Sequence, residues 1–507
     1  MKPLKGISGL FKSGESMLGR RVFGIETEFG CLIRDDSLGG AETVVEAVKN
    51  HAFYKAGLGL IDLTARDEAF EPARSGGFLK NGSRLYIDAV GSHLEFATAE
   101  CASLFDLVAH EKAGQRIIVN ILREMGWDDK VSFYNNNVDH FGGHTFGCHE
   151  NYLIRADERY PADAFNLILP FLITRQIYGG SGRVGGHILE HSNTLPSLRD
   201  MAQHPIDFIW VSQVYNVLPD PTVKFQLSQR ADHIVRVTAS RVRFNRAIIN
   251  PKWDSVYGSS NYQRLHLLYG EGNMSEYAFA LKIGATCLVL DLMEARALPS
   301  YLRIQDPLNA MRHISRDETR KWIVHLIDGD SISAIDLQRA YLALAQKRFA
   351  GRDAETDWVL TEWDYVLNLL ETDPEQLDDR IDWVIKQNIL REYMEDAGVD
   401  WDDDSLHSID LEYHNINPDQ GLYHALEEMG AVKRVVTDER IETATEQAPT
   451  NTRAGARATI VKKLCESRPS KYYVDWDMVY VDRMRQIDLR DPFGSYSKEV
   501  SRFLTWL

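Results

Sequence analysis

The sequence is poor in the features that most often announce a function. Of its 507 residues only five are cysteine: Cys31, Cys101, Cys148, Cys287 and Cys465. The number is odd and no CxxC pair occurs, which excludes a disulfide framework and a zinc finger and suits a reducing cytoplasm. Positive charge is in deficit, with 57 Lys and Arg against 74 Asp and Glu, a net charge of −17. A nucleic acid needs a basic face, so it is excluded as the main partner. Long apolar runs are missing too. The stretch Ala285–Met293 is broken by Asp291 and is far shorter than a membrane span. Residues 1–20 lack the apolar core of a signal peptide and read as a flexible extension. Neither GxxxxGK[ST] nor GxGxxG after a first strand is present, so any ATP would be held without a P-loop or a Rossmann site. No internal repeat or low-complexity tract is found.

The remaining composition is that of a soluble globular protein, 44% hydrophobic and 26% charged, long enough for a large core and more than one domain. Strand patterns dominate early, at Arg21–Ile33, within Asn81–Glu100, and on both sides of a glycine-rich turn in Val131–Ile154. Leu104–Met125 and Ser275–Ala297 have helical spacing, Leu167–Tyr178 predicts another helix, and 305–430 reads as mainly helical. This order predicts an α+β fold. TATEQAPTNTR, Thr443–Arg453, reads as a linker. The domains expected are the extension 1–20, a main domain 21–442 and a small C-terminal domain 443–507.

FGIETEFG, residues 23–30, places Glu26 and Glu28 at i and i+2 of an apolar strand, so both carboxylates share a face. Two readings stay open: a solvated strand face, or a site for a hard cation such as Mg²⁺. Further acids and histidines lie inside strand-like segments: Asp88 in LYIDAVG, Glu95 and Glu100 in HLEFATAE, His149, Glu150 and Asn151 in GCHENYL, and His233 beside Arg230 in SQRADHI. Burying such charges is costly unless they meet a metal or each other. Carboxylates with histidines suit Mg²⁺ or Mn²⁺ better than structural zinc. Arg230 and Arg246 are candidates for neutralising phosphate oxygens. Cys148 between Gly147 and His149 is a weak nucleophile candidate, because no Cys/His/Asn signature surrounds it.

In order along residues 21–507 come GIETEFG, NGSRLYID, GSHLEFATAEC, LVAHEKAGQRI, GCHENYL, ILPFLITRQ, LSQRADHI, RLHLLYGEGNM, LKIGATCLVLDLMEA, IDWVIK, DLEYHNI and VTDERIETA. Through these stretches the chain resembles the Pup ligase and Pup deamidase/depupylase family, within the glutamine-synthetase-like carboxylate–amine ligases. GSHLEFATAEC and the short spacing from Glu28 to Asp88 are closer to the ligase. The resemblance implies a curved antiparallel sheet cradle packed with helices, ATP and Mg²⁺ as cofactors, Pup or a Pup-like modifier as partner, and lysine-bearing target proteins. It implies metal-binding roles for Glu26, Glu28, Glu95, His149 and His233 and Asp88 as the base that prepares the lysine, while Arg230 and Arg246 remain candidates for the nucleotide phosphates on their own chemistry. The implied reaction passes through an acyl phosphate on the modifier's C-terminal glutamate. Alternatives are a depupylase or deamidase of the same fold, a small-molecule carboxylate–amine ligase, and a non-enzymatic modifier-binding scaffold. The sequence departs from the family in an extra residue in LYIDAVGSH, in GEGNM, and in PKWDSVYGSS after IIN. A groove for a helical modifier is expected near Tyr472, Tyr473 and Trp476.

Overall fold

The structure is a computed structural model and describes residues 21–63, 76–88, 93–140, 143–155, 163–191, 215–239, 246–252, 262–482 and 485–505. The extension 1–20, residues 89–92 of the LYIDAVGSH stretch that carries the extra residue, and most of PKWDSVYGSS lie outside the described residues.

The opening strand, β1 (Phe23–Ile33), alternates as its sequence predicts: Phe23, Ile25 and Phe29 enter the core, and Glu26 and Glu28 take the other face. It is followed by β2 (Gly59–Ile61), β3 (Gly76–Leu79), β4 (Arg84–Ile87), β5 (Leu94–Ala97), β6 (Val131–Tyr134) and β7 (Cys148–Arg155). Next come β8 (Arg183–Val184), β9 (His187–His191), β10 (Tyr215–Pro219), β11 (Phe225–Gln226), β12 (Arg236–Thr238), β13 (Ala247–Lys252) and β14 (Tyr262–Leu267). One ten-stranded sheet runs in the order β12-β13-β14-β7-β1-β5-β4-β3-β2, with β6 also on β1. Its pairings are antiparallel except β12–β13. The two strands expected in Val131–Ile154 are there, but each pairs with β1 rather than with the other. The eleven residues of β1 are long enough to serve three neighbours, which places its glutamates at the centre of the sheet.

Helices cover the back. Leu104–Met125 is capped by Ser103, which accepts from the Asp106 N–H, and ends on Gly126 in the left-handed region. It lies so close to the sheet that a Cβ on Gly114 would sit 2.4 Å from the Phe96 ring. Glu276–Glu294 is buried all round except at Asp291 and Glu294, which bind Arg21 at 2.6 and 3.0 Å. The region 305–430 is mainly helical, as expected, with a hairpin of β15 (Ile323–His325) and β16 (Ser331–Ser333). The molecule is therefore α+β. Among the described residues no helix is long and apolar enough to cross a membrane.

The C-terminal part joins the sheet edge. Thr443–Glu446, expected as linker, completes the helix Asp438–Glu446, and a second helix runs over Arg453–Ser467. After it come β17 (Tyr472–Val474), β18 (Met478–Val481), β19 (Arg485–Asp488) and the helix Ser497–Leu504. Their apolar residues, among them Ile460, Leu464, Val479 and Phe503, form one core with Leu60 of β2 and Phe78 of β3. Glu100 is gripped by Arg453 (2.8 Å) and by both terminal nitrogens of Arg457. Arg457 also donates to the Gly82 and Trp476 carbonyls, each at 2.9 Å, and lies over the Phe78 and Trp476 rings. Trp476 is thus packed into this junction, and the Tyr472 hydroxyl donates to the Ile61 carbonyl.

Candidate active site

The front face of the sheet gathers a set of acids and histidines from neighbouring strands. Glu26 stands across from His149 on β7, and Glu28 across from Glu95 on β5. Strand β14 brings His266 opposite Asn151. Cross-strand partners share a face, so these side chains converge. Tyr86 pairs with Glu95, and Asp88, two residues on, points the same way. The Asp88 N–H donates to the His93 carbonyl at 2.9 Å.

Two groups result. Glu26, His149 and His266 form one and Glu28, Asp88 and His93 the other, with ligand atoms within 4.8 Å of one another in each. His149 bridges them: Nδ1 is 3.4 Å from Glu26 and Nε2 is 3.9 Å from Glu28. His266 Nε2 lies 3.4 Å from Glu26, and His93 Nδ1 3.0 Å from Glu28. The fit is close at Gly147, where a Cβ would come within 2.5 Å of both Glu28 Oε1 and His149 Nε2.

The electrostatics keep both glutamates ionised. Burial pushes Glu26 up, but His149, His266 and Arg264 outweigh it and hold it well below the usual carboxylate range. For Glu28, burial is outweighed by His93, His149 and the Gly147 backbone, which bring it down to about 2. Burial lowers His266 to about 4, so its ring is neutral and offers a lone pair. Carboxylate oxygens with imidazole nitrogens are a donor set that a divalent cation such as Mg²⁺ or Mn²⁺ fits.

Arg230 and Arg246 lie on the same side of the sheet. Arg230 donates to the Phe146 carbonyl at 3.0 Å, but its Nε has no hydrogen-bond partner among the described residues, nor has Arg246 Nη1. Burial and the Arg230 charge lower Arg246 to about 9, and burial lowers Arg230 against the pull of Glu28. Two neighbouring guanidinium groups with spare N–H donors, Arg230 buried and Arg246 half-buried, are chemically suited to an anion. The segment carrying Arg230 is pinned by Glu271, which takes hydrogen bonds from the Ser228 hydroxyl and, at 2.8 Å, from the Ser181 N–H. The glutamate of the divergent GEGNM stretch therefore serves as an anchor.

The remaining candidates separate. Glu150 is on the opposite face, where Arg175 binds it twice at 2.7 and 2.9 Å and Tyr152 donates at 2.7 Å. Glu100 belongs to the C-terminal junction. Cys148 is buried toward the core and its thiol is pushed up to about 12 by burial, which removes it as a nucleophile. His233 is fully buried, hydrogen-bonded to His187 at 3.0 Å and outside both cation groups. His93 and His266 are the site residues that sequence reasoning passed over. Both sit in strand-like segments, at i, i+2 to Glu95 and between Leu265 and Leu267.

A large antiparallel sheet that gathers acids, histidines and arginines on one face is an arrangement suited to an enzyme acting on charged groups. The comparisons with known proteins narrow the class. The Pup-ligase protein family matches residues 21–480, and the chain belongs to that family. The Pup–protein ligase of Xylanimonas cellulosilytica is 34% identical over 506 residues, 96% of this chain and 99% of that protein. That of Corynebacterium glutamicum is 34% identical over 514 residues, 97% of each. The crystal structure of the ligase PafA with the prokaryotic ubiquitin-like protein Pup superposes with a TM-score of 0.77 at 32% identity, covering 97% of this chain and 92% of that one. PafA in complex with ADP gives 0.72 at 32% identity, covering 91% and 93%.

Proposed function

We propose that the protein is an ATP-dependent ligase that joins the C-terminal glutamate side chain of Pup, or of a Pup-like modifier, to lysines of target proteins. The observation that carries this reading is the proximity of two acid–histidine groups to two arginines with unbonded N–H donors among the described residues, in a chain whose relatives are Pup ligases and whose solved relatives hold Pup and ADP. A carboxylate is a poor acyl donor, so the γ-phosphate must first be transferred to it to make an acyl phosphate. Arg230 and Arg246 would bind the phosphoryl oxygens as charge builds on them. Glu26, Glu28, Glu95 and His149, joined by His266, would hold Mg²⁺, whose charge screens the phosphates.

Asp88 is the acceptor's base in this scheme. A lysine attacks only as the free amine, so a carboxylate beside it must take the proton. The small domain expected over 443–507 is a separate unit in this proposal only in sequence, since its core is shared with β2 and β3. The cytoplasm is the proposed location.

The test is to incubate the protein with ATP, Mg²⁺, the Pup-like protein of its own source organism and a lysine-bearing target. A band shifted by the modifier's mass is expected. Asp88→Asn should lower conjugation by about 10²-fold or more and leave nucleotide affinity unchanged. Cleavage of a preformed conjugate without any ligation would replace the ligase reading with the hydrolase one.

A further inference from the structure

Asn137 closes the run Asn135–Asn137 that follows β6, and it is only 1% exposed. A buried polar side chain needs partners, and every polar group of this residue has one. Its side-chain Oδ1 accepts from the Gly272 N–H at 2.7 Å, and its Nδ2 donates to the Phe146 carbonyl at 2.9 Å. Its backbone N–H donates to Gln229 Oε1 at 2.6 Å, and its backbone carbonyl accepts from the Phe146 N–H at 3.0 Å. The partners fix which way the amide points. A backbone N–H can only donate and a backbone carbonyl can only accept, so Oδ1 faces Gly272 and Nδ2 faces Phe146.

All three partners lead to Arg230. A carbonyl oxygen has two lone pairs, and at Phe146 Asn137 Nδ2 takes one while Arg230 Nη1, at 3.0 Å, takes the other. The residue that holds the guanidinium is therefore itself held by Asn137, at its N–H and at its carbonyl. Gln229 immediately precedes Arg230, and its Nε2 is fixed on the Gly182 carbonyl at 3.0 Å. Gly272 follows Glu271, whose carboxylate takes the hydroxyl of Ser228, two residues before Arg230. The fit at Gly272 is close, since a Cβ there would lie 2.3 Å from Asn135 Oδ1. One amide thus joins the segments on three sides of the arginine, and it belongs to neither acid–histidine group.

We infer that Asn137 is a positioning residue for Arg230: its amide fixes the Phe146 carbonyl from which the guanidinium takes its direction, and so sets the anion contact that Arg230 makes. The role needs a donor and an acceptor on one short side chain. Aspartate keeps the acceptor for Gly272 but sets an oxygen against the Phe146 carbonyl, and alanine leaves both backbone groups without this partner. In either variant Arg230 remains while its direction is lost. The inference rests on the reading of Arg230 as a phosphate contact for the choice of ADP as probe.

The first test is a double-mutant cycle read by calorimetric titration of ADP. Asn137→Ala should weaken ADP by about fivefold in the wild-type background and by less than about twofold in Arg230→Met, where the contact it directs is already gone. Equal losses in the two backgrounds are the mark of a purely structural role and overturn the inference, as does the absence of any loss with Arg230 present. Asn137→Asp should be as weak as Asn137→Ala, and wild-type affinity in that variant overturns it too. Arg230→Met alone should weaken ADP by about tenfold; undiminished binding there sinks the phosphate reading of Arg230 instead. The second test needs no nucleotide. In arginine-selective ¹⁵N–¹H NMR of the ligand-free protein, the Arg230 Nε–H resonance, assigned by its absence in Arg230→Met, should shift in Asn137→Ala and in Asn137→Asp. A resonance that stays in place overturns the inference whatever ADP does. Asn137→Ser takes the place of the alanine variant if that one does not fold, and failure of both to fold assigns Asn137 to the scaffold and overturns the inference as well.

Discussion

Two clusters of buried charge lie on the same sheet, one around Glu26 and Glu28 and one around Glu100. At Glu100 the carboxylate is held on both oxygens, and of its arginines only the Arg457 Nε lacks a hydrogen-bond partner among the described residues. Arg453 and Arg457 bind its carboxylate, and the spare Arg457 donors reach the Gly82 and Trp476 carbonyls. At the centre of the sheet the account is left open. Like charges stand together as Glu28 beside Glu95 and Arg230 beside Arg246, and donors on Arg230 and Arg246 lack partners among the described residues. A buried charge left unanswered costs stability. The fold tolerates it only where something outside the chain completes the pairing. Opposite charges paired across the C-terminal junction thus contrast with like charges gathered at the centre of the sheet.

The largest effect should come from breaking the Glu100 cluster. Arg457→Ala leaves Glu100 buried with one partner and should cost about 3–5 kcal/mol in urea unfolding. A loss under 1 kcal/mol would mean that this junction is no more structural than the cradle. Next is the acid limb of stability. Burial pushes Glu100 up, but Arg457 and Arg453 win and hold it at about 2. A folded-state pKa below the unfolded one adds stability at neutral pH that is lost as pH falls from about 4.5 toward 2. The loss should be about 3 kcal/mol, and Glu100→Gln should flatten that limb. The smallest effect sharpens the contrast from the other side. Arg246→Met removes a half-buried, under-bonded charge, so the ligand-free protein should gain about 1 kcal/mol while ADP binds about tenfold more weakly. Calorimetric titration and a denaturant midpoint check the two halves, and a destabilised variant would class Arg246 with Arg457.

Much of this contrast was legible in the sequence where it rests on local period. The i, i+2 spacing put Glu26 and Glu28 on one face, and the helical spacing over Leu104–Met125 gave that helix with its observed bounds. The same period, applied one residue over, separates His149 from Glu150. Reading GCHENYL as a block hid that, because a shift of one residue changes the face. His266 and His93 carried the same alternating signal and could have been found by it. Glu150 with Arg175 and Glu100 with Arg457 could not, because those partners meet only after the chain has folded. His233 shows the remaining gap. Its residue type suggests a ligand, while its use depends on which of its nitrogens His187 already occupies.

The grip of Arg457 on Glu100 also sets a schedule. The two residues are 357 positions apart. At ribosomal speeds of about 5–20 residues per second, Glu100 leaves the tunnel roughly 20–70 s before its partner does. Through that interval the nascent sheet presents the edge formed by β2 and β3 without the helix Arg453–Ser467 that covers it. The late-made end of the polypeptide is what closes the early-made sheet. A stalled or prematurely terminated chain would hold most of the cradle residues on an open-edged sheet, and in the cell such a product is a substrate for chaperones and proteases rather than a working fragment.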